Sequence, residues 1–296
     1  MEFRTLRAFA EVVRQGGFSQ AAKTIFATQS TVSKAVKQLE EEIGLPLLDR
    51  SFHPPRLTAA GEVVYARAQR LLAERDDLTT ELDELRGLKR GVLRLGLPPM
   101  GSSILFAPLF ALYRTRYPGV GIRLVEQGAS RLEEMLLSGE IDLAASLLPV
   151  SDMFAWQDIR HEPLMVLLPA GHGLAGRAVI GLEALRTQSF ILFEAGFALN
   201  RIIRDGCRRH GFEPHVVAQS SQIDFVVELV ASGLGIAFLP RLIAEKRPHP
   251  LVRPVLLAEA KVDWHLAMIW RQGGYLSHAS RAWLALVREG GAEQVP

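Results

Sequence analysis

The segment that decides the amino-terminal fold is FSQAAKTIF at residues 18–26, followed after a short break by QSTVSKAVK at residues 29–37. The first segment contains two consecutive alanines, which let another helix cross closely, because small side chains shorten the distance between helix axes. It ends in Ile25 and Phe26, which are expected to pack against that second helix. Together the two segments predict a helix-turn-helix.

The second segment predicts an amphipathic helix with one polar face. Apolar residues recur at spacings of four, three and four from Val32 to Ile43, which is the period of one helix face. Polar side chains on the opposite face can donate to the phosphates and base edges of DNA. The alternative is a small amphipathic domain with an ordinary solvated face. The candidate DNA-binding residues are Ser19, Gln29, Ser30, Thr31, Ser33, Lys34 and Lys37, with Arg50 and Arg56 as contacts to the DNA backbone.

An ordered series of residues over the first 61 positions matches a known pattern. Its members are Phe9, Phe18, Ser19, Ala21, Ala22, Gln29, Ser33, Leu39, Glu40, Gly44, Leu47, Arg50, Leu57, Thr58 and Gly61. The chain therefore resembles the LysR-type transcriptional regulators, which implies a winged helix-turn-helix that binds double-stranded promoter DNA. The wing departs from the pattern, because residues 52–55 read Phe-His-Pro-Pro before the single Arg56, where the family commonly has consecutive basic residues.

The charge of this region is low for a DNA-binding domain. Residues 1–60 contain eight basic and six acidic side chains, so a monomer offers few charges to phosphates. A dimer doubles the phosphate contacts over two half-sites. The sequence therefore favours binding as a dimer.

A long helix is predicted to begin after Thr58, which has the character of an N-cap. Apolar residues at alternating spacings of four and three are typical of a short coiled coil. The alternative is one amphipathic helix packed on its own domain. The resemblance implies a dimerising linker helix, and Gly87–Gly91, with Lys89 and Arg90 inside, predicts the connection to a second domain. The seam residues are Val64, Ala68, Leu71, Leu78, Leu82 and Leu85.

Composition indicates a globular protein of two or more domains. The chain has 296 residues and a single cysteine, Cys207, which excludes an internal disulfide, a dithiol switch and a Cys-rich zinc site. We expect Cys207 to be a buried apolar residue. No export signal or apolar run of membrane-spanning length is present, so a cytoplasmic location without a membrane partner is expected.

The remainder of the chain alternates between strand-like and helix-like segments, which predicts two α/β lobes with a largely parallel sheet. The first series has strands at 92–97, 121–126 and 141–147 and helices at 102–117 and 130–138. The second series has strands at 164–168, 190–193, 216–217 and 235–239 and helices at 201–209 and 225–231.

The resemblance to the LysR-type regulators extends through this part, at Tyr117-Pro118, residues 138–143 and residues 231–240. It implies an α+β multi-domain protein with a two-lobed domain similar to type 2 periplasmic binding proteins. The predicted domains are a DNA-binding domain at 1–60, a linker helix at 61–90 and an effector-binding domain at 91–296. Lobe I is assigned to residues 91–162 and 268–296, and lobe II to residues 163–267.

In such folds ligands bind beyond the carboxyl ends of the strands, where helix amino-termini favour anions. We therefore expect a small organic acid as effector, of unknown identity, and no cofactor. Ordinary capping by serine is the alternative interpretation of these loops, and the two phenylalanines could equally belong to the core. The candidate residues are Pro99, Met100, Gly101, Ser102, Ser103, Gln127, Gly128, Leu147, Phe193, Phe197, Ser221 and Gln222.

Two other functions are alternatives to that of a ligand-responsive regulator. Residues 171–176 spell G-x-G-x-x-G, but a poor helix start follows them, which disfavours a dinucleotide-binding enzyme. The histidines are scattered and no G-x-S-x-G elbow occurs, so neither a catalytic nor a metal site is expected. A pure solute-binding module conflicts with the amino-terminal segment. The expected partners are promoter DNA, a second copy of the chain in a dimer and further in a tetramer, the effector, and RNA polymerase.

Overall fold

The computed structural model describes residues 1–85 and 91–292, with only the backbone for residues 83, 85, 291 and 292. The predicted connection at Gly87–Gly91 therefore lies outside the described residues except for Gly91. The chain divides into two units, Met1–Gly87 with Leu137–Glu140 and Leu88–Leu136 with Ile141–Pro296.

The amino-terminal unit is a winged helix-turn-helix followed by one long helix. Its secondary structure comprises helices α1 (Phe3–Arg14), α2 (Phe18–Thr24), α3 (Gln29–Ile43) and α4 (Ala59–Leu85) and strands β1 (Leu48–Asp49) and β2 (Arg56–Leu57). The strands pair antiparallel. Thr28 caps α3 by accepting a hydrogen bond from the Thr31 N–H at 3.2 Å, and Gly44 ends it with φ of 76°, a left-handed conformation that glycine adopts without strain.

The core of this unit confirms the predicted helix faces. Val32, Val36 and Leu39 are buried, and Ile43 packs against them. The two alanines of α2 are also buried, as their role at a helix crossing requires. The expectation for Phe26 is wrong, because its side chain is 98% exposed. The turn holds Phe26 at φ of 55°, and Ile25 alone packs against the core.

Helix α4 begins as predicted. The Thr58 hydroxyl accepts a hydrogen bond from the Gly61 N–H at 3.0 Å and donates one to the Pro46 carbonyl at 2.7 Å. Its 27 residues correspond to a length of about 40 Å. The first part of the predicted seam serves a different purpose, because Val64 and Ala68 pack in the core of this unit.

The second unit contains the remaining strands and helices. Its strands are β3 (Val92–Leu97), β4 (Gly121–Glu126), β5 (Leu143–Leu147), β6 (Phe154–Pro169), β7 (Val179–Ile180), β8 (Ser189–Phe193), β9 (His215–Ser220), β10 (Ala237–Pro240), β11 (Val252–Leu257) and β12 (Asp263–Arg271). Its α-helices are α5 (Ser102–Leu105), α6 (Ala107–Arg116), α7 (Ala129–Leu137), α8 (Ala198–Arg209), α9 (Ile223–Ala231), α10 (Arg241–Glu245) and α11 (His278–Ala292), with a 3₁₀ helix at Leu182–Leu185.

The large sheet is mixed, so the prediction of a largely parallel sheet is wrong. Its strand order is β4-β3-β5-β12-β6-β11-β7, and β10 also pairs with β6. Strands β3, β4 and β5 are parallel to one another, whereas β12 is antiparallel to both β5 and β6. The long strand β6 joins the lobes, because Phe154–Pro163 pairs with β12 and Leu164–Pro169 pairs with β10 and β11. Strands β8 and β9 form a separate parallel pair.

The helix expected at 102–117 is broken into α5 and α6 at Phe106, which is fully buried and stacks at 6.4 Å on Trp283. The G-x-G-x-x-G segment forms turns that lead into β7 rather than a helix. Within residues 1–85 and 91–292, no helix combines the length and apolar character that a membrane span requires.

Candidate DNA-binding surface and interlobe cavity

Helix α3 presents most of the predicted DNA-binding residues to solvent. Gln29, Lys34 and Lys37 are exposed, and Ser33 is half-buried. The Thr28 hydroxyl that caps the helix also lies 2.9 Å from the Ser30 hydroxyl and 2.8 Å from that of Thr31. These contacts fix the first turn of α3, while its polar face remains open.

The wing is anchored to α3 by Glu40. One carboxylate oxygen accepts hydrogen bonds from the Leu47 and Leu48 N–H groups at 2.9 and 3.2 Å. The other accepts one from Arg50 at 2.7 Å. This pair neutralises much of the charge that Arg50 was expected to offer to DNA. Arg56 lies with its guanidinium 4.3 Å from the centre of the Phe52 ring.

A small cavity lies where the two lobes of the second unit meet. Its volume is about 30 Å³, far below the roughly 300 Å³ or more of ligand pockets that hold drug-sized molecules. The lining residues are apolar except for Ser146. The lining residues are Pro98, Pro99, Met100, Gly128, Ala129, Ser146, Leu147, Phe197, Ala198, Leu199, Trp264 and Leu266.

Backbone contacts at the edge of this cavity hold the lobes close together. The Ala129 N–H at the start of α7 donates to the Gly196 carbonyl, just before α8, at 3.1 Å. A Cβ atom on Gly128 would lie 2.9 Å from the same oxygen, so only glycine permits this approach. The amino-termini of α7 and α8 therefore both reach the cavity, and helix amino-termini favour negative charge.

A larger groove of about 410 Å³ adjoins the cavity and shares Ala129, Phe197 and Ala198 with it. It contains Glu133 of α7 and Arg201 of α8. Burial raises the pKa of the Glu133 carboxyl, while the charge of Arg201 and a hydrogen bond from the Ser146 hydroxyl oppose that rise. The cavity and the groove together offer an apolar compartment beside a charged one.

Comparison with known proteins identifies both units. Residues 3–62 match the family described as bacterial regulatory helix-turn-helix protein, lysR family, and residues 86–292 match the LysR substrate binding domain. The chain belongs to the LysR family of transcriptional regulators. The resemblance seen in the sequence is confirmed, and a regulator rather than an enzyme is the established class.

Related LysR-family proteins align over nearly the whole chain. The uncharacterised HTH-type regulator YwbI of Bacillus subtilis is 37% identical over 96% of this chain and 95% of its own. The HTH-type regulator BudR of Raoultella terrigena is 33% identical over 92% of this chain and 95% of its own. A full-length OxyR variant from Pseudomonas aeruginosa has a TM-score of 0.70 at 24% identity, covering 98% and 94% of the two chains. The predicted fold class is confirmed.

Five of the residues predicted for effector binding in this LysR-family protein line the cavity: Pro99, Met100, Gly128, Leu147 and Phe197. The other seven do not. The Ser102 hydroxyl donates to the Pro98 carbonyl, and the Phe193 ring stacks on Phe197 at 5.0 Å. The residues outside the lining are Gly101, Ser102, Ser103, Gln127, Phe193, Ser221 and Gln222, of which Gly101 adjoins Met100 in the loop.

Sequence reasoning missed several lining residues because they come from distant parts of the chain. Trp264 and Leu266 lie on β12, and the pairing of Leu266 with Leu147 brings them to the cavity. No local pattern indicates that contact. Ser146 lies near the end of the strand predicted at 141–147, and Arg201 of the groove is the first residue of the helix predicted at 201–209. A polar residue at the end of a predicted element is therefore the one local signal for these two positions.

Proposed function

We propose that a dimer of this LysR-family regulator binds a pseudo-palindromic promoter site through α3, and that a small organic acid between the lobes changes this binding. The observation that supports the proposal is that one chain contains both a helix-turn-helix and a cavity between two lobes. A ligand that separates the lobes shifts the relative placement of two joined DNA-binding domains, and hence the DNA bend.

Assembly through α4 is supported by an apolar stripe on its distal part. Leu71, Leu78 and Leu82 are 42%, 57% and 44% exposed within one chain, and their spacing is that of a coiled-coil seam. A second copy of the same helix is the natural occupant, since identical stripes are self-complementary. Pairs of such dimers would form the proposed tetramer.

The effector chemistry follows from the two compartments. An apolar body suits the cavity formed by Leu147, Phe197 and Trp264, and the amino-termini of α7 and α8 favour a carboxylate. Arg201 in the adjoining groove supplies a full positive charge for that group. Because the cavity holds only about 30 Å³, such an acid enters as the lobes separate or the lining side chains move.

DNA binding is tested with duplexes selected by the full-length protein from a random library. Fluorescence anisotropy should show binding much tighter than to random DNA at physiological salt, with affinity falling steeply as salt rises. Equal weak binding to selected and random duplexes would contradict the proposal.

The effector site is tested by screening a panel of small organic acids for a change in tryptophan fluorescence that is lost in Trp264→Phe, and for a change in DNA affinity. For an acid that binds, Ser146→Ala and Arg201→Gln should each weaken its binding by about tenfold, the order of one hydrogen bond or charge contact. Ser221→Ala is the control, because this exposed serine lies outside the cavity lining. If Ser221→Ala alone weakened binding, the ligand would occupy another site.

A further inference from the structure

Phe26, in the turn between α2 and α3, is an unusually exposed aromatic residue. Its side chain is 98% exposed, and no other large apolar side chain among the described residues reaches 70%. Removing a phenyl ring from water is favourable by an amount that grows with its buried area. An isolated aromatic at this position therefore suggests contact with a partner that the single chain does not contain.

The backbone at this turn does not require phenylalanine. Phe26 has φ of 55°, a left-handed conformation that bulky L residues rarely adopt and glycine adopts freely. The turn is held by backbone hydrogen bonds, from Ala27 N–H to the Ala22 carbonyl at 2.9 Å and from Phe26 N–H to the Lys23 carbonyl at 3.4 Å. The ring contributes to neither. Phenylalanine here opposes the local backbone preference and gains no core contact in return.

The position of the ring is continuous with the DNA-reading surface. Phe26 precedes the cap residue Thr28 by two residues, and the first turn of α3 begins at the exposed Gln29. In a helix-turn-helix the amino-terminal residues of the second helix contact base edges in the major groove. Apolar side chains beside that groove can contact the methyl group of thymine.

We propose that the Phe26 ring contacts an apolar surface of the bound DNA beside α3, either a thymine methyl group or a deoxyribose face. This inference rests on the proposed DNA-binding function. It predicts an opposition between folding and binding at one residue, because glycine at position 26 relieves the backbone strain and at the same time removes the DNA contact.

The test compares Phe26→Ala and Phe26→Gly with the wild-type full-length protein on the duplex selected from a random library. Both variants should bind the duplex about tenfold more weakly, which corresponds to partial loss of one aromatic contact. The thermal midpoint of Phe26→Gly should be equal to that of the wild type or higher. Leu45→Ala is the matched control, since Leu45 is an exposed apolar residue, 54% accessible, at the other end of α3.

Two further readouts separate a DNA contact from a structural role. The slope of log affinity against log salt should be the same for Phe26→Ala and wild type, because a phenyl ring displaces no counterions. Replacing thymine by deoxyuracil in the duplex should weaken wild-type binding and not Phe26→Ala binding if the partner is a thymine methyl group. If the substitution affects neither protein while Phe26→Ala remains weaker, the deoxyribose is the partner.

The proposal is overturned if wild type and Phe26→Ala bind the selected duplex equally, or if both variants lower the thermal midpoint. An absence of any specific duplex for the wild type would instead reject the proposed function itself. These outcomes are distinguishable in one set of titrations.

Discussion

At the scale of single residues, Cys207 illustrates how burial removes reactivity. The thiol is buried in α8, and this burial raises its pKa to about 11. The thiolate is the reactive form of cysteine. We expect alkylation of the native protein near pH 8 to be slower by about a hundredfold or more than alkylation in urea. Rapid stoichiometric labelling of native protein, absent in Cys207→Ser, would contradict this.

The half-buried carboxyl of Glu133 makes the stability of the folded protein depend on pH. Burial, its largest influence, raises the pKa of this carboxyl, so the unfolded chain releases the proton at lower pH than the folded one. The folded state therefore loses stability as pH rises from the ordinary glutamate pKa through the raised value. Glu133→Gln removes this loss.

Thermal unfolding measures the Glu133 effect. The variant Glu133→Gln should melt above the wild type near pH 7, whereas the difference should vanish below the ordinary glutamate pKa of about 4. Glu134→Gln serves as the control, since its carboxylate is exposed and lies 2.9 Å from Arg131. An equal gain in both variants, or a gain that persists in acid, would show that burial of Glu133 is not the cause.

At the scale of elements, α4 combines two functions along its length. Its first turns, including Val64 and Ala68, complete the core of the amino-terminal unit, and its distal part carries the exposed stripe. The uniform seam seen in the sequence does not distinguish these parts, because both use the same helical period.

Leu78 tests the proposed dimer. Leu78→Glu places a charge in the apolar stripe and should raise the dimer dissociation constant by at least about tenfold. Thr80→Glu is matched to it, because Thr80 is exposed and lies about 200° around the helix from Leu78. Analytical ultracentrifugation over a concentration series measures both. Unchanged association of Leu78→Glu would place the dimer contact elsewhere.

At the scale of the whole molecule, the interlobe cavity depends on strand pairings that span much of the chain. Strand β12 joins β5 by the pairing of Leu266 with Leu147 and also follows β6 over nine residue pairs. Since β6 continues from the first lobe into the second, the two lobes share a continuous backbone at this point. Separation of the lobes on ligand binding would therefore bend these strands, and it would break the hydrogen bond from the Ala129 N–H to the Gly196 carbonyl.

The sequence by itself determined the elements that local periodicity and capping encode. The buried face of α3, the Thr58 cap of α4 and the extent of β3 and β4 all agree with the structure, because each depends on residues within a few positions. Tertiary structure alone decided the mixed sheet, the exposed ring of Phe26 and the contribution of Trp264 to the cavity. A local pattern specifies which face of a segment is buried, but the partner that covers it is selected by packing and pairing across the whole fold.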